Sequence, residues 1–259
     1  MHSTADGPVA GLPRDTRLPI DIVMPARDEE LTVGGNVAAA LACTHAREVI
    51  VVDDGSSDRT ADEARRAGAK VLVREGPDGS KAHAMAMGVA ATDADSIFFV
   101  DADCTGLTGR HLDRICEPYL AGEVVMSLGA FDYGWFWNPM VLRWPPLSGE
   151  RIIPRWVFES IPRHKLHGYT IEVRINEVIA EGRLPTAIHV MPGVYHRTKR
   201  DKLGRVPGLR ATWAMYKDLF GMLKPGDVRW RTYWFYLQAL RVDRVELRRP
   251  APPGGGRSP

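Results

Sequence analysis

Four short apolar runs in the first 105 residues each lead into a turn carrying groups that can do chemistry. Ile20–Met24 leads into Pro25-Ala26-Arg27-Asp28-Glu29-Glu30, and Val49–Val52 into Asp53-Asp54-Gly55-Ser56-Ser57-Asp58. Val71–Val73 is followed by Gly79-Ser80-Lys81, and Ile97–Val100 by Asp101-Ala102-Asp103. A single acidic turn is ordinarily a solvated loop or a helix cap. Recurrence on successive runs changes the reading, because in an open parallel sheet ligands bind outside the carboxyl ends of the strands. Carboxylates at Glu30 and Asp54 can accept hydrogen bonds from a ribose diol or a base N–H. Lys81 opens a helix after a glycine-containing loop, where an ammonium and backbone N–H groups can meet a phosphate; the plainer alternative is a solvated lysine. Asp101 and Asp103 point the same way if the strand continues. Two such carboxylates repel unless a cation joins them, and at a phosphate site that cation is Mg²⁺ or Mn²⁺.

The elements that must position these groups alternate along the chain. The apolar runs are predicted strands, and helices are predicted over Glu30–Cys43, Ser57–Ala67 and Ala82–Ala91. Asp58 is placed to cap the second of these. Runs that are apolar on both faces belong to a mostly parallel sheet covered by helices on both sides. After Phe131 the sequence turns irregular and aromatic (Tyr133, Trp135, Phe136, Trp137, Trp144). Helices are predicted again near Pro154–Ser160, Glu172–Glu181, Thr212–Leu223 and Arg231–Val245, with a late strand at Ala187–Met191. Residues 1–17 and 250–259 are polar, proline-containing tails that cannot bury a core.

The 259 residues carry 34 Lys plus Arg against 32 Asp plus Glu, a net charge of +2 that conceals a split. Up to His196 there are 19 basic and 27 acidic residues; from Arg197 onward there are 15 basic and 5 acidic. A nucleic-acid binder would be basic throughout or along one stripe, so that role is excluded as the main one. Composition (44% hydrophobic, 25% charged) is that of a folded globular chain. Cys43, Cys104 and Cys116 are odd in number and lack CxxC spacing, against a disulfide framework or zinc knuckle. A reducing cytoplasm is therefore expected. With no signal-peptide pattern and no run of about 18 apolar residues, any membrane contact is expected to be peripheral, at the inner face.

Asp21-Ile-Val-Met-Pro-Ala-Arg-Asp-Glu-Glu, Ile50-Val-Val-Asp-Asp-Gly-Ser-Ser-Asp-Arg-Thr, Gly79-Ser-Lys-Ala and Phe99-Val-Asp-Ala-Asp together resemble the nucleotide-sugar-binding half of family 2 glycosyltransferases. The resemblance implies an α/β GT-A fold: a Rossmann-like, mostly parallel sheet with helices on both faces, here with a C-terminal helical extension. By it, residues 18–207 form the glycosyltransferase domain, split into a nucleotide-sugar half (18–105) and an acceptor half (106–207), and 208–249 the extension. It also implies that Pro25, Ala26, Arg27, Glu30, Asp54, Gly79, Lys81, Asp101 and Ala102 bind the nucleotide-sugar. Asp101 and Asp103 become the metal-binding DXD pair.

Pro146-Leu-Ser-Gly-Glu-Arg151 is similar to an acceptor-side segment of dolichol-phosphate-mannose-type enzymes and to one of glucosyl-3-phosphoglycerate synthases. Ser148, Gly149, Glu150, Arg151, Arg155 and Lys165 are the acceptor-binding residues so implied. Gly168-Tyr-Thr-Ile-Glu-Val-Arg resembles the following acidic helix, and the segment His189 to Gly204 resembles one whose histidine completes the metal shell, here His196. An imidazole beside carboxylate and diphosphate oxygens suits Mn²⁺.

The implied reaction is attack of an acceptor oxygen on the anomeric carbon of a UDP- or GDP-linked sugar. The metal and Lys81 would stabilise the leaving diphosphate. For an alcohol acceptor Glu172 is the candidate general base, or else simply a helix N-terminal residue. For a phosphate acceptor, Arg151, Arg155 and Lys165 would form a clamp. Arg197, Lys199, Arg200, Lys202 and Arg205 follow His196. Farther on, Trp230, Tyr233, Trp234, Phe235, Tyr236, Leu237 and Leu240 are interleaved with or flanked by arginines. Such a helix can lie on an anionic membrane, which favours a polyprenyl phosphate acceptor; it can equally pack on the domain or form a homodimer seam. A small soluble phosphorylated acceptor is the other expectation. A sugar nucleotidyltransferase and a non-catalytic nucleotide-sugar-binding protein are the rival classes. The first is disfavoured by the acidic, glycine-free loop after the first strand, the second by retention of Asp101, Asp103 and His196.

Overall fold

The computed structural model describes residues 18–75, 79–132, 148–165, 171–196 and 240–242, with the backbone alone described for Lys165, His196 and 240–242. Both tails, the aromatic segment 133–147, the basic residues from Arg197 to Arg205 and the helix expected at Thr212–Leu223 lie outside these residues.

The expected alternation is present: β1 (Ile20–Ala26), α1 (Val33–Leu41), β2 (Ala46–Asp53), α2 (Thr60–Arg66), β3 (Lys70–Val73), α3 (Lys81–Ala90) and β4 (Ser96–Phe99). Then follow β5 (Cys104–Thr105), α4 (Gly109–Leu120), β6 (Met126–Phe131) and β7 (Arg151–Pro154). The described chain ends with α5 (Arg155–Glu159), α6 (Ile171–Glu181), β8 (Thr186–Met191), β9 (Tyr195–His196) and β10 (Leu240–Val242). Eight strands form one sheet in the order β10-β8-β6-β7-β4-β1-β2-β3, and β5 pairs with β9 in a small second sheet.

The apolar runs are apolar on both faces because each face meets a different core. Ile20, Ile22 and Met24 of β1, Val49 and Val51 of β2 and Phe98 of β4 pack with α1 and with Leu112, Ile115 and Tyr119 of α4. Val23, Ile97 and Phe99 face the opposite way, onto Ala82, Met85 and Val89 of α3 and onto Ile171, Ile175 and Ile179 of α6. Period-two alternation between two buried faces is what a sheet covered on both sides requires.

The sheet is mixed at β7, a direction that no local pattern announces. β7 lies antiparallel between β4 and β6, with Phe99 and Leu128 both opposite Arg151. The chain therefore enters β7 beside the carboxyl end of β4 and leaves it at the amino end. A second difference concerns the expected helix Arg231–Val245. Leu240–Val242 is instead a strand, paired in parallel with Thr186–Ile188 at the sheet edge. The alternation of Leu240, Arg241 and Val242 suits a strand as well as a helix, and the open edge of β8 supplies the hydrogen bonds that decide between them.

Candidate active site

Strand order places the site. β1 and β4 are parallel neighbours, yet β1 leads through α1 to β2 on one side while β4 is reached from β3 through α3. Such a reversal opens a crevice outside the carboxyl ends of the strands. Into it come the turns after β1, β2 and β4 and the start of α3.

The turn after β2 is fixed on both sides. Asp54 donates its N–H to Ala26 O at 2.8 Å, and its Oδ2 accepts from Ser80 N–H at 2.6 Å. The other carboxylate oxygen is bound by Arg74 Nε in an ion pair whose side chains are 17% and 6% exposed. Arg74 thus joins a carboxylate acceptor to a guanidinium donor at the place expected to read a base. Sequence reasoning missed it, although its position directly after an apolar run is the same signal that singled out Asp54. Arg27 reaches across to the third turn. A Cβ on Gly79 would fall 1.4 Å from Arg27 Nη1, so a residue with no side chain is needed there. Glu30 is turned toward α2: its carboxylate accepts from the N–H and the Nε of Arg59, both at 3.3 Å, and its own N–H donates to Asp58 Oδ2 at 3.1 Å.

Ser80 caps α3, its side chain accepting from His83 N–H at 3.4 Å, and Lys81 is the first helical residue. The Lys81 ammonium lies 2.6 Å from Asp101 Oδ1 and 2.7 Å from Glu172 Oε1. Burial on its own would lower the Lys81 pKa, but the two carboxylates outweigh it and hold the lysine well above its usual range. Three predicted functional residues from three different segments are thereby brought together.

Asp101 rests on the turn before β7. A Cβ on Gly149 would meet Asp101 Oδ2 at 2.1 Å, so the absence of a side chain there is what lets the aspartate sit in place. The neighbouring Glu150 is fully buried, accepting from Cys104 Sγ at 2.9 Å and from Ser148 Oγ at 2.6 Å. Burial, with the negative charge of Asp101 nearby, raises the Glu150 carboxyl above its usual range, and burial with Glu150 pushes the Cys104 thiol up.

Ser148, Glu150, Arg151 and Arg155, expected to bind the acceptor, have side chains already bonded within the protein. Arg151 is fully buried and spends its guanidinium on Ser148 O, on Glu172 O at 3.2 Å and on Asn176 Oδ1 at 3.0 Å. It thereby supports the segment that carries Glu172. Ser148 and Glu150 are likewise turned inward, bonded to each other and to Arg151 or Cys104. Arg155 lies at the opposite end of the strands, beside the amino end of β4, because the antiparallel β7 sets Pro154 opposite Ser96. Its guanidinium bonds Ala94 O at 2.8 Å, Val89 O at 2.9 Å and Thr92 O at 2.5 Å. The side chain of Lys165 lies outside the described residues.

The metal expectation has a backbone counterpart. Cys104, the residue after Asp103, is directly opposite His196 in the β5–β9 pair. Among the described residues no three His, Cys, Asp or Glu side chains form a metal cluster. The His196 side chain is not among them. Two carboxylates, an imidazole-bearing strand paired alongside, and a glycine cradle under Asp101 are a donor set that fits Mn²⁺ or Mg²⁺.

The fold and the family are shared with known proteins. The chain is 26% identical to a glucosyl-3-phosphoglycerate synthase from Mycobacterium tuberculosis solved with Mn²⁺, uridine diphosphate and phosphoglyceric acid, with a TM-score of 0.64 over 79% of this chain and 76% of that one. It is 25% identical to the same synthase with Mn²⁺ and uridine-diphosphate-glucose, with a TM-score of 0.60 over 77% and 78% of the two chains. A curated relative, 4,4'-diaponeurosporenoate glycosyltransferase from Staphylococcus aureus (strain USA300), is 38% identical over 109 residues, 40% of this chain. The matched region spans 29% of that relative's length. The family profile described as "Glycosyl transferase family 2" matches residues 21–175, more than half of the chain. The chain belongs to glycosyl transferase family 2.

Proposed function

We propose that the protein transfers a hexose from uridine-diphosphate-sugar to a hydroxyl of a small phosphorylated acceptor. The observation that carries this reading is Lys81, whose ammonium joins Asp101 of the DXD pair to Glu172. One cation thereby links the expected diphosphate site to the expected base. The Asp54–Arg74 pair supports a uracil, whose imide offers one N–H between two carbonyl oxygens to a neighbouring acceptor and donor. The solved relatives' UDP and phosphoglyceric acid support the same pair of substrates.

In this reading the turns after β1 and β2 orient the uridine and exclude water from its edge. Asp101 and Asp103, with His196, would hold Mn²⁺ or Mg²⁺, which when bound supplies Lewis-acid stabilisation of the leaving diphosphate. Lys81 adds a fixed positive charge at the place where negative charge develops. Glu172, on α6, accepts the proton of the acceptor hydroxyl. The guanidinium groups of Arg151 and Arg155, expected to hold a phosphate nucleophile, are bonded within the protein, and Leu240–Val242, inside the expected C-terminal helix, is a strand; both weigh against a polyprenyl phosphate acceptor.

The test is a thermal-shift panel of UDP-, GDP- and TDP-sugars with and without Mn²⁺, followed by product assays on 3-phosphoglycerate and on polyprenyl phosphate. UDP-glucose with Mn²⁺ is expected to raise the melting temperature most, and phosphoglycerate to be glucosylated. No metal-dependent shift with any nucleotide-sugar would sink the reading; transfer to polyprenyl phosphate alone would overturn its acceptor.

A further inference from the structure

Asn36 sits in the middle of α1, 2% exposed, with Val33, Val37 and Ala40 as buried neighbours on the same helix. Asparagine is a poorer helix former than alanine, and burying its amide is unfavourable unless both protons are used. Here the amide nitrogen lies 2.8 Å from Ala102 O and 2.9 Å from Cys104 O. It also lies 3.1 Å from Thr32 O, one turn back on its own chain. The two distant carbonyls flank Asp103. Cys104 is in turn the residue whose backbone pairs with His196. A single amide therefore grips the turn of the DXD pair on both sides of its second aspartate, at the point where β5 meets β9.

We infer that Asn36 is a positioning residue for the metal–diphosphate site. It touches neither substrate nor metal; it holds the 102–104 backbone so that Asp103 is aimed and β5 is kept against the strand carrying His196. Side chains that orient metal ligands typically change metal affinity about 10- to 100-fold when removed. This role rests on the glycosyltransferase reading above, and through it on a divalent cation at Asp101 and Asp103.

The experiment measures UDP binding by calorimetry on the full chain, with and without Mn²⁺, for the native protein, Asn36→Leu and Val37→Ala. Val37 is a buried neighbour on α1 and serves to report general loosening of that helix. Expected is a native UDP affinity that Mn²⁺ strengthens. Asn36→Leu should bind UDP alone within about twofold of native, while the Mn²⁺ enhancement falls at least tenfold. Val37→Ala should lose thermal stability and keep the full enhancement. Should Asn36→Leu not fold, Asn36→Ser, which retains one donor, is expected to lose part of the enhancement. A native-like enhancement in the Asn36 variant that folds, or an equal loss in Val37→Ala, overturns the role of Asn36 alone. A native protein whose UDP binding ignores Mn²⁺ overturns both this inference and the reading beneath it.

Discussion

Lys81 Nζ lies 2.7 Å from Glu172 Oε1, and the same ammonium lies 2.6 Å from Asp101 Oδ1. Two carboxylates, from the end of β4 and from α6, thus share one largely enclosed cation on α3. Removing it leaves two carboxylates facing each other in a poorly solvated site, at a cost of about 3–5 kcal/mol. Lys81→Met is therefore expected to lower the melting temperature, and saturating Mn²⁺ with UDP should recover part of the loss by supplying positive charge. Its kcat for sugar transfer should fall about 10²- to 10³-fold, with Lys81→Arg between the two. Turnover within twofold of native, followed by UDP release, would remove Lys81 from the diphosphate site.

The ion pair of Arg74 with Asp54 leads to a separate expectation. Arg74→Ala leaves Asp54 held by Ser80 N–H alone and takes away the donor beside it. Loss of one charge-assisted hydrogen bond is about 1–3 kcal/mol, so KM for the UDP-sugar should rise roughly 10- to 100-fold with kcat nearly unchanged. A variant that changes kcat and not KM would show that Arg74 does not read the nucleotide.

Arg151 and Arg155 should behave as framework residues. Arg151→Met strands Ser148 O, Glu172 O and Asn176 Oδ1 in the interior and is expected to cost several kcal/mol in urea unfolding. Arg155→Ala frees three carbonyls beside the amino end of β4 and should lower stability while leaving the acceptor KM as it was. A raised acceptor KM in the folded Arg155 variant would restore the phosphate clamp.

Acid should act through Asp58 as well. Burial by itself would raise this carboxyl, but the Thr60 hydroxyl and the N–H groups of Glu30 and Thr60 outweigh it and hold it below the ordinary 3.8. A depressed folded-state pKa gives stability that is complete above the unfolded value and disappears as pH falls through the folded one. Asp58→Asn weakens the bonds accepted from Thr60 and Glu30 and is expected to cost about 1 kcal/mol at neutral pH, with the difference from native closing below roughly pH 3.8. Urea titrations at several pH values check this; a gap that stays constant with pH would rule out the carboxylate.

The donor half was legible because its information is local. A β-branched run ending on charged residues states both a buried strand and its exposed carboxyl end, so Asp54, Lys81, Asp101 and Asp103 could be found without any tertiary structure. The acceptor half was not, because its meaning depends on long-range pairing. Nothing in Arg151-Ile-Ile-Pro-Arg155 states that the strand runs antiparallel, and that direction alone sends Arg155 to the amino end of β4, away from the charged turns. Burial likewise separates Arg151, committed to internal carbonyls, from Arg74, which sits half-hidden beside Asp54. The sequence by itself determined that charged side chains stand at the carboxyl ends of buried, mostly parallel strands. Only the tertiary structure decided that Lys81 meets Glu172, that Asn36 bonds the backbone on both sides of Asp103 and that Arg151 and Arg155 spend their guanidinium groups on protein oxygens. Each of those rests on a contact between segments far apart in the chain, where hydrogen-bond partners are assigned by packing and not by residue type.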